Sequence, residues 1–304
     1  MEVTRSTALR RLLGRRVLLC DGAMGTQLIA RGLPVGVSGE TWNLDHAADV
    51  EAIHRSYVQA GCDLVTTNTF GASTPSLERH GLADKAAAIN AAGARLARRA
   101  AGDGAFVLGD IGPFGGFLEP LGDMTPEALL AAFLAQAEAL RQGGADGIII
   151  ETMVDPAELA VAVQAAKQAS DWPVFATYAF GKADGDSFRT IMGTTVPEAV
   201  QAAIAAGADV VGANCGTALD LPDYLRLAES LVAAARPTAT PVILQPNAGA
   251  PRLVDGKMVH PASPADMAGL IDPLRNLGLR VIGGCCGTGP EHLAAMAAKL
   301  RVRH

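Results

Sequence analysis

The sequence predicts an α/β protein: a single barrel of eight parallel strands, each followed by a helix. Three observations predict it. First, one pattern recurs four times, in which a small-residue helix ends near glycine, a short apolar run follows, and polar or glycine residues come straight after. Second, four further apolar runs raise the number of candidate strands to eight. Third, alanine-rich stretches with helical spacing separate them. Strand and helix in alternation imply a parallel sheet. Eight such units in 304 residues imply closure into a (β/α)8 barrel. An open doubly wound sheet is the runner-up.

The recurring pattern is Gln59-Ala-Gly-Cys-Asp-Leu-Val-Thr-Thr-Asn68, then Gln142-Gly-Gly-Ala-Asp-Gly-Ile-Ile-Ile-Glu151, Ala205-Ala-Gly-Ala-Asp-Val-Val-Gly-Ala-Asn214 and Asn276-Leu-Gly-Leu-Arg-Val-Ile-Gly-Gly-Cys285. In each, glycine can cap a helix and the apolar run can be a strand buried on both faces. The other four strands are expected at 17–20, 105–109, 173–178 and 241–245. Helices are expected at 48–60, 84–101, 125–142, 156–169, 196–206, 221–235, 263–277 and 290–301. No linker or low-complexity stretch divides the chain. Residues 1–304 therefore read as one domain, with 1–15 a peripheral N-terminal segment. The basic cluster near the N-terminus, Arg5, Arg10, Arg11, Arg15 and Arg16, reads as a solvated helix face.

Composition narrows the function. Hydrophobic residues make up 49% and aromatics only 4%, so Ala, Val, Leu and Ile must fill a sizeable core. A net charge of -6 argues against a nucleic-acid surface. No apolar run approaches the roughly 20 residues of a membrane span, and no signal-like segment opens the chain. A cytoplasmic protein is expected. The five cysteines, Cys20, Cys62, Cys215, Cys285 and Cys286, do not read as a disulfide framework. The neighbours Cys285 and Cys286 would strain a mutual bridge. No phosphate-binding P-loop, dinucleotide fingerprint or His-Glu-x-x-His zinc motif is present.

Active sites of such barrels gather at the carboxyl ends of the strands, and the unusual residues fall there. Strand one is followed by Asp21-Gly22-Ala23-Met24-Gly25, strand two by Thr67-Asn68-Thr69-Phe70-Gly71, and strand three by Gly109-Asp110-Ile111-Gly112-Pro113. Strand four ends in Glu151-Thr152-Met153, strand six in Asn214-Cys215-Gly216, strand seven in Pro246-Asn247-Ala248-Gly249, and strand eight in Gly283-Gly284-Cys285-Cys286-Gly287. Strands six and eight are near neighbours in a barrel. Cys215, Cys285 and Cys286 can thus meet on one metal, and three thiolates select zinc. Buried structural or redox cysteines are the competing reading; Cys20 and Cys62, amid apolar neighbours, read as core. Asp21 and Glu151 are costly to bury unpaired, and a ligand ammonium, a salt bridge or a helix cap would each answer them. The Gly22-Ala23-Met24-Gly25 turn offers backbone amides suited to an anion. Asn68, Asn214 and Asn247 read as polar anchors or turn residues. The six histidines lack metal-ligand spacing and read as surface or core.

Together these motifs resemble the homocysteine S-methyltransferase family, from about residue 15 to about residue 300. The resemblance implies a (β/α)8 TIM barrel, a zinc ion on Cys215, Cys285 and Cys286, and homocysteine sulfur as fourth ligand. It places Asp21 and Glu151 at the substrate ammonium and the amides near Ala23 and Met24 at the carboxylate. It also puts Asn247 where, in the cobalamin-dependent branch, a residue fills the open zinc position without substrate. Family branches take the methyl group from cobalamin, betaine or S-methylmethionine. The Thr67-Asn-Thr-Phe-Gly-Ala-Ser stretch is most similar to the methionine synthase branch. The expectation is a stand-alone homocysteine module of a split methionine synthase, with methylcobalamin supplied by a separate protein and a cobalamin- or folate-binding protein as partner, or else a single-domain enzyme with a small donor. Another small thiol as acceptor, and a non-enzymatic zinc or redox barrel, are the alternatives.

Overall fold

The structure is a computed structural model and describes residues 4–302, apart from 186 and 255–256. Eight short strands form one parallel sheet: β1 (Leu18–Leu19), β2 (Leu64–Thr66), β3 (Phe106–Ile111), β4 (Gly147–Met153), β5 (Val174–Tyr178), β6 (Val210–Asn214), β7 (Val242–Gln245) and β8 (Val281–Ile282). Each pairs with its neighbours in chain order, and β8 pairs with β1 through Leu18↔Val281 and Leu19↔Ile282. A parallel bridge between Cys20 and Leu64 joins β1 to β2 and closes the ring. The fold is the (β/α)8 TIM barrel that the strand and helix count predicts.

Strand alternation builds two layers of core. Leu18, Cys20, Leu64, Leu108, Ile149, Phe175, Val210, Ile243 and Val281 face inward, at least one from each strand. Their neighbours Leu19, Val65, Val107, Ile148, Val174, Val211, Leu244 and Ile282 face the surrounding helices. The helices Ala47–Ala60, Ala86–Ala101, Pro126–Gln142, Pro156–Ala169, Val196–Ala206, Leu221–Ala235 and Pro290–Arg301 lie where their spacing predicts. Gly61, Gly207 and Gly278 end helices at φ near 100°, the left-handed conformation glycine adopts without a Cβ penalty. The helix expected over 263–277 is two, Pro264–Gly269 and Ile271–Leu277. Pro273 is the cause: it has no N–H, and its ring would press on the carbonyl four residues back. Two hairpins extend the loops, Gly181–Lys182 with Phe188–Arg189 after β5, and Arg252–Val254 with Lys257–Val259 after β7. Among the described residues, no helix is long and apolar enough to cross a membrane.

The N-terminal segment is not peripheral. The helix Arg5–Leu13 plugs the amino end of the barrel, with Leu9 and Leu13 buried against the inward-facing layer. An open barrel floor would leave that layer wet, so the two leucines are drawn onto it. Its basic cluster is accordingly not a uniformly solvated face. Arg5 pairs with Asp146 at 3.0 Å, Arg10 with Asp209, and Arg16 with Asp63 at 2.7 Å. Those three aspartates come from three of the four copies of the recurring pattern. Arg11 and Arg15 are exposed.

Candidate active site

The carboxyl ends of the strands enclose a cleft of about 330 Å³. Of the sequence-predicted residues, Gly22, Ala23, Met24, Asn68, Glu151, Cys215, Cys285 and Cys286 line it. Asp21, Asn214 and Asn247 stand behind the lining and hold it.

The three cysteines converge. Their sulfurs all lie within 4.8 Å of one another, and Cys215 Sγ is 3.9 Å from Cys286 Sγ. Local backbone geometry produces this. Cys215 follows β6 at φ 54° and Gly216 at φ 112°, so the chain reverses out of the strand. A side chain at positive φ is strained and persists only where neighbours enforce it. Here the Cys215 N–H donates to the Gln245 carbonyl at 3.1 Å, and its carbonyl accepts from the buried Tyr224 hydroxyl at 2.6 Å. The same hydroxyl accepts from the Asn247 N–H at 3.1 Å, tying the ends of β6 and β7 together. The vicinal pair is fixed by Cys285 N–H to Pro246 carbonyl (2.8 Å), Ala248 N–H to Cys286 carbonyl (2.9 Å) and the Thr288 hydroxyl to Cys285 carbonyl (2.6 Å). Gly284 allows the tight turn, because a Cβ there would lie 2.4 Å from Thr288.

Asn214 braces the centre. Its side-chain oxygen accepts from Thr152 N–H and the Thr177 hydroxyl, both at 2.7 Å, and its amide donates to the Thr152 hydroxyl and, at 3.9 Å, to Cys285 Sγ. Thr152 sits at φ 62°, a second strained position beside the cysteines. Asn247 donates to the Gly216 carbonyl at 3.4 Å, and its buried side-chain oxygen has no partner among the described residues. The three thiols are mutually hydrogen-bonded, which splits their acidities. Hydrogen bonds from Cys285 and Cys286 draw Cys215 far below the usual thiol value, to about 3, while the same contact with Cys215 pushes Cys286 up to about 11.

Carboxyl groups form the other wall. Asp21, 1% exposed, accepts from the Thr66 N–H at 2.8 Å and from the Thr66 hydroxyl. Burial nevertheless lifts it to about 7. Burial, then the charges of Asp21 and Cys215, lift Glu151 to about 8. A third acid, Asp110 at the end of β3, lines the same cleft, with one buried carboxyl oxygen that has no partner among the described residues. Burial and then Glu151, Asp21 and Glu40 push it well above the carboxylate range. Three acids thus crowd one wall of the cleft, and its described lining holds no basic side chain. The Gly-Asp-Ile-Gly-Pro motif alone assigns Asp110 no role; its place where a strand ends, like that of Asp21 and Glu151, is the available signal. Tyr224 and Gln245 carried none, lying inside ordinary helix and strand patterns.

The glycine turn after β1 meets its expectation in part. The Ala23 amide is already bound to Thr288, at 3.1 Å to the carbonyl and 3.3 Å to the hydroxyl. Met24 and Gly25 begin the helix Met24–Ala30, where first-turn amides have no intrahelical acceptor and Ala23 provides no side-chain cap. Asn68 spends its amide on the Gly39 carbonyl (2.9 Å) and Asn43 (3.0 Å), holding the loop before Glu40 against the cleft. Cys20 and Cys62 are buried in the core, as expected. His54 is fully buried, and burial draws it down to about 4, so it stays neutral.

The methionine synthase of Mycobacterium tuberculosis is 34% identical over 96% of this chain and 25% of its own length, and that of Mycobacterium leprae is 33% identical over the same shares. The chain therefore spans about a quarter of these relatives. Among solved structures, the homocysteine methyltransferase MmuM of Escherichia coli in its metallated form superposes with a TM-score of 0.77 at 23% identity, covering 96% of this chain and 99% of that one. A methyltransferase from Methanosarcina mazei has a TM-score of 0.59 at 13% identity, covering 98% of each chain. These two likenesses concern the fold. The family model described as homocysteine S-methyltransferase matches residues 18–300, from the first strand to the last helix, and the chain belongs to that family.

Proposed function

We propose that this protein transfers a methyl group to the sulfur of homocysteine, giving methionine, at a zinc site formed by Cys215, Cys285 and Cys286. One observation carries the reading: three sulfurs meet beside a cleft whose other wall is built to take a cation. The donor set fits zinc. Tetrahedral zinc with Zn–S bonds of about 2.3 Å puts neighbouring sulfurs about 3.8 Å apart, and Cys215 and Cys286 are already at 3.9 Å. Three protein ligands leave one position open, the mark of a catalytic rather than a structural site. When bound, the zinc supplies a substrate thiol that is deprotonated at neutral pH.

The chain's own residues do the rest. Glu151 takes the substrate ammonium, with Asp21 and Asp110 supplying negative charge behind and beside it. The free amides of Met24 and Gly25 take the carboxylate. Anchored at its amino-acid end, the substrate extends its side-chain sulfur toward the cysteines. Asn214 and Tyr224 hold the cysteine backbone and side chains so that the site does not spread. A sulfur lone pair then forms the new S–CH3 bond as the donor's bond to that methyl breaks, its electron pair leaving with the donor.

The donor we favour is methylcobalamin carried by another protein or domain. Two things support it: the 34% identical relative is a methionine synthase of which this chain spans a quarter, and large apolar side chains stand exposed on the loops round the cleft. Phe70, Phe117, Leu121, Ile191 and Leu253 are 39–87% exposed, on loops after β2, β3, β5 and β7. Such a rim suits a second protein surface. The reaction belongs in a reducing compartment, the cytoplasm. The test is to incubate the zinc-loaded protein with homocysteine and each donor separately: methylcobalamin free or protein-bound, S-methylmethionine, and betaine. Methionine from one donor assigns the branch. If no donor yields methionine and homocysteine does not bind, the reading fails; methylation of a different small thiol would move the acceptor.

A further inference from the structure

The opposite end of the barrel carries a second cleft, of about 520 Å³, between the starts of β1 and β8 and the last turn of the helix Pro290–Arg301. Its walls are Val17, Leu19, Gly61, Ala297 and Leu300, and its charged lining is Arg16, Arg275, Arg280, Arg301 and Asp63. The lining has a formal excess of three positive charges, on a chain whose net charge is -6.

The recurring pattern explains why the excess is unusual. Three copies place an aspartate just before the strand, Asp63, Asp146 and Asp209, and each is answered by an arginine of the N-terminal segment. The fourth copy places Arg280 at the equivalent position. No acid answers it: among the described residues, neither Arg280 nor Arg301 has a carboxylate within ion-pair distance. Arg16 is held by Asp63 at 2.7 Å, and Arg275 by Asp272 at 2.7 Å. Arg301 lies across Gly61, where a Cβ would meet its guanidinium at 2.6 Å.

We propose that this cleft binds a small ligand carrying a pyrophosphate or longer phosphate chain. Guanidinium forks match phosphate oxygens bidentately. Two unpaired arginines, backed by two more spread round the cavity, suit several linked phosphates better than a single anion. The ligand sits at the amino ends of the strands, away from the cysteines, so the site neither needs nor disturbs the methyl-transfer reading.

The experiment is calorimetric titration of the intact protein with inorganic phosphate, tripolyphosphate and ATP, at low and at physiological ionic strength, with sulfate as control. Saturable one-site binding of tripolyphosphate is expected, weaker for single phosphate and for sulfate, and weakened by salt. ATP binding no tighter than tripolyphosphate assigns the phosphate chain alone; tighter ATP binding adds contacts to the nucleoside. Arg280→Asp restores the acid of the other three copies and so is expected to fold, which circular dichroism checks; it should weaken binding by more than about tenfold. Arg301→Gln, at an exposed helix end, should do the same to a smaller degree. Heat that does not saturate, equal binding of sulfate, or unchanged affinity in both variants would overturn the proposal.

Discussion

Replacing Glu151 by glutamine is expected to stabilise the empty protein while ruining substrate binding. Glu151 lines the cleft and, among the described residues, receives no hydrogen bond to its carboxyl. Burial, Asp21 and Cys215 raise it from an ordinary 4.5 to about 8. At about 1.36 kcal/mol per pH unit, the full penalty would be about 5 kcal/mol. The cleft admits water, which reduces it to about 2–3 kcal/mol. The sign follows from proton counting. Between pH 4.5 and 8 the native carboxyl keeps its proton while the unfolded one loses it, so native stability falls as pH rises through that window. The Gln variant lacks the Glu151 share of that slope, while Asp21 and Asp110 keep theirs. Urea unfolding should therefore show Glu151→Gln about 2–3 kcal/mol more stable than the parent near pH 9, and indistinguishable from it near pH 4. Homocysteine binding in the same variant should drop by more than tenfold, since the ammonium loses its charge-assisted partner. A constant stability difference across pH, or undiminished binding, would refute the reasoning.

Three further outcomes follow from the geometry. Cys286→Ala should lose zinc by more than about a hundredfold, at about 3 kcal/mol per ligand, while the far-ultraviolet spectrum stays native; metal analysis after dialysis measures it. Tyr224→Phe leaves the buried Asn247 N–H without its acceptor and frees the Cys215 carbonyl. It should cost about 1–3 kcal/mol in denaturant unfolding and weaken zinc retention, and unchanged zinc affinity would show that Cys215 does not depend on that brace. Gly212→Ala places a Cβ 1.8 Å from the Ile243 carbonyl oxygen. A loss above about 4 kcal/mol, seen as insoluble or unfolded protein, is expected.

Much of this molecule can be read along the chain because parallel barrels write themselves locally. Each Gly-x-Asp before an apolar run ends a helix and starts a buried strand, and the cysteines and acids fall where a strand stops. What cannot be read locally depends on partners distant in sequence. Leu9 and Leu13 look like an ordinary amphipathic face until the barrel floor exists for them to close. Arg5, Arg10 and Arg16 look solvated until Asp146, Asp209 and Asp63 are brought beneath them. Asp110 gains meaning only when Glu151 and Asp21 arrive from two other strands. Tyr224, in the middle of a helix, shows nothing of its bridge between β6 and β7. The Pro273 break is the opposite case: a local rule that spacing alone overrode.

The central claim is best tested by zinc-edge X-ray absorption on the metal-loaded protein, before and after homocysteine is added. Three sulfur neighbours at about 2.3 Å are expected without substrate and four with it. Fewer than three sulfurs at the start, or no added sulfur with homocysteine bound, would contradict it.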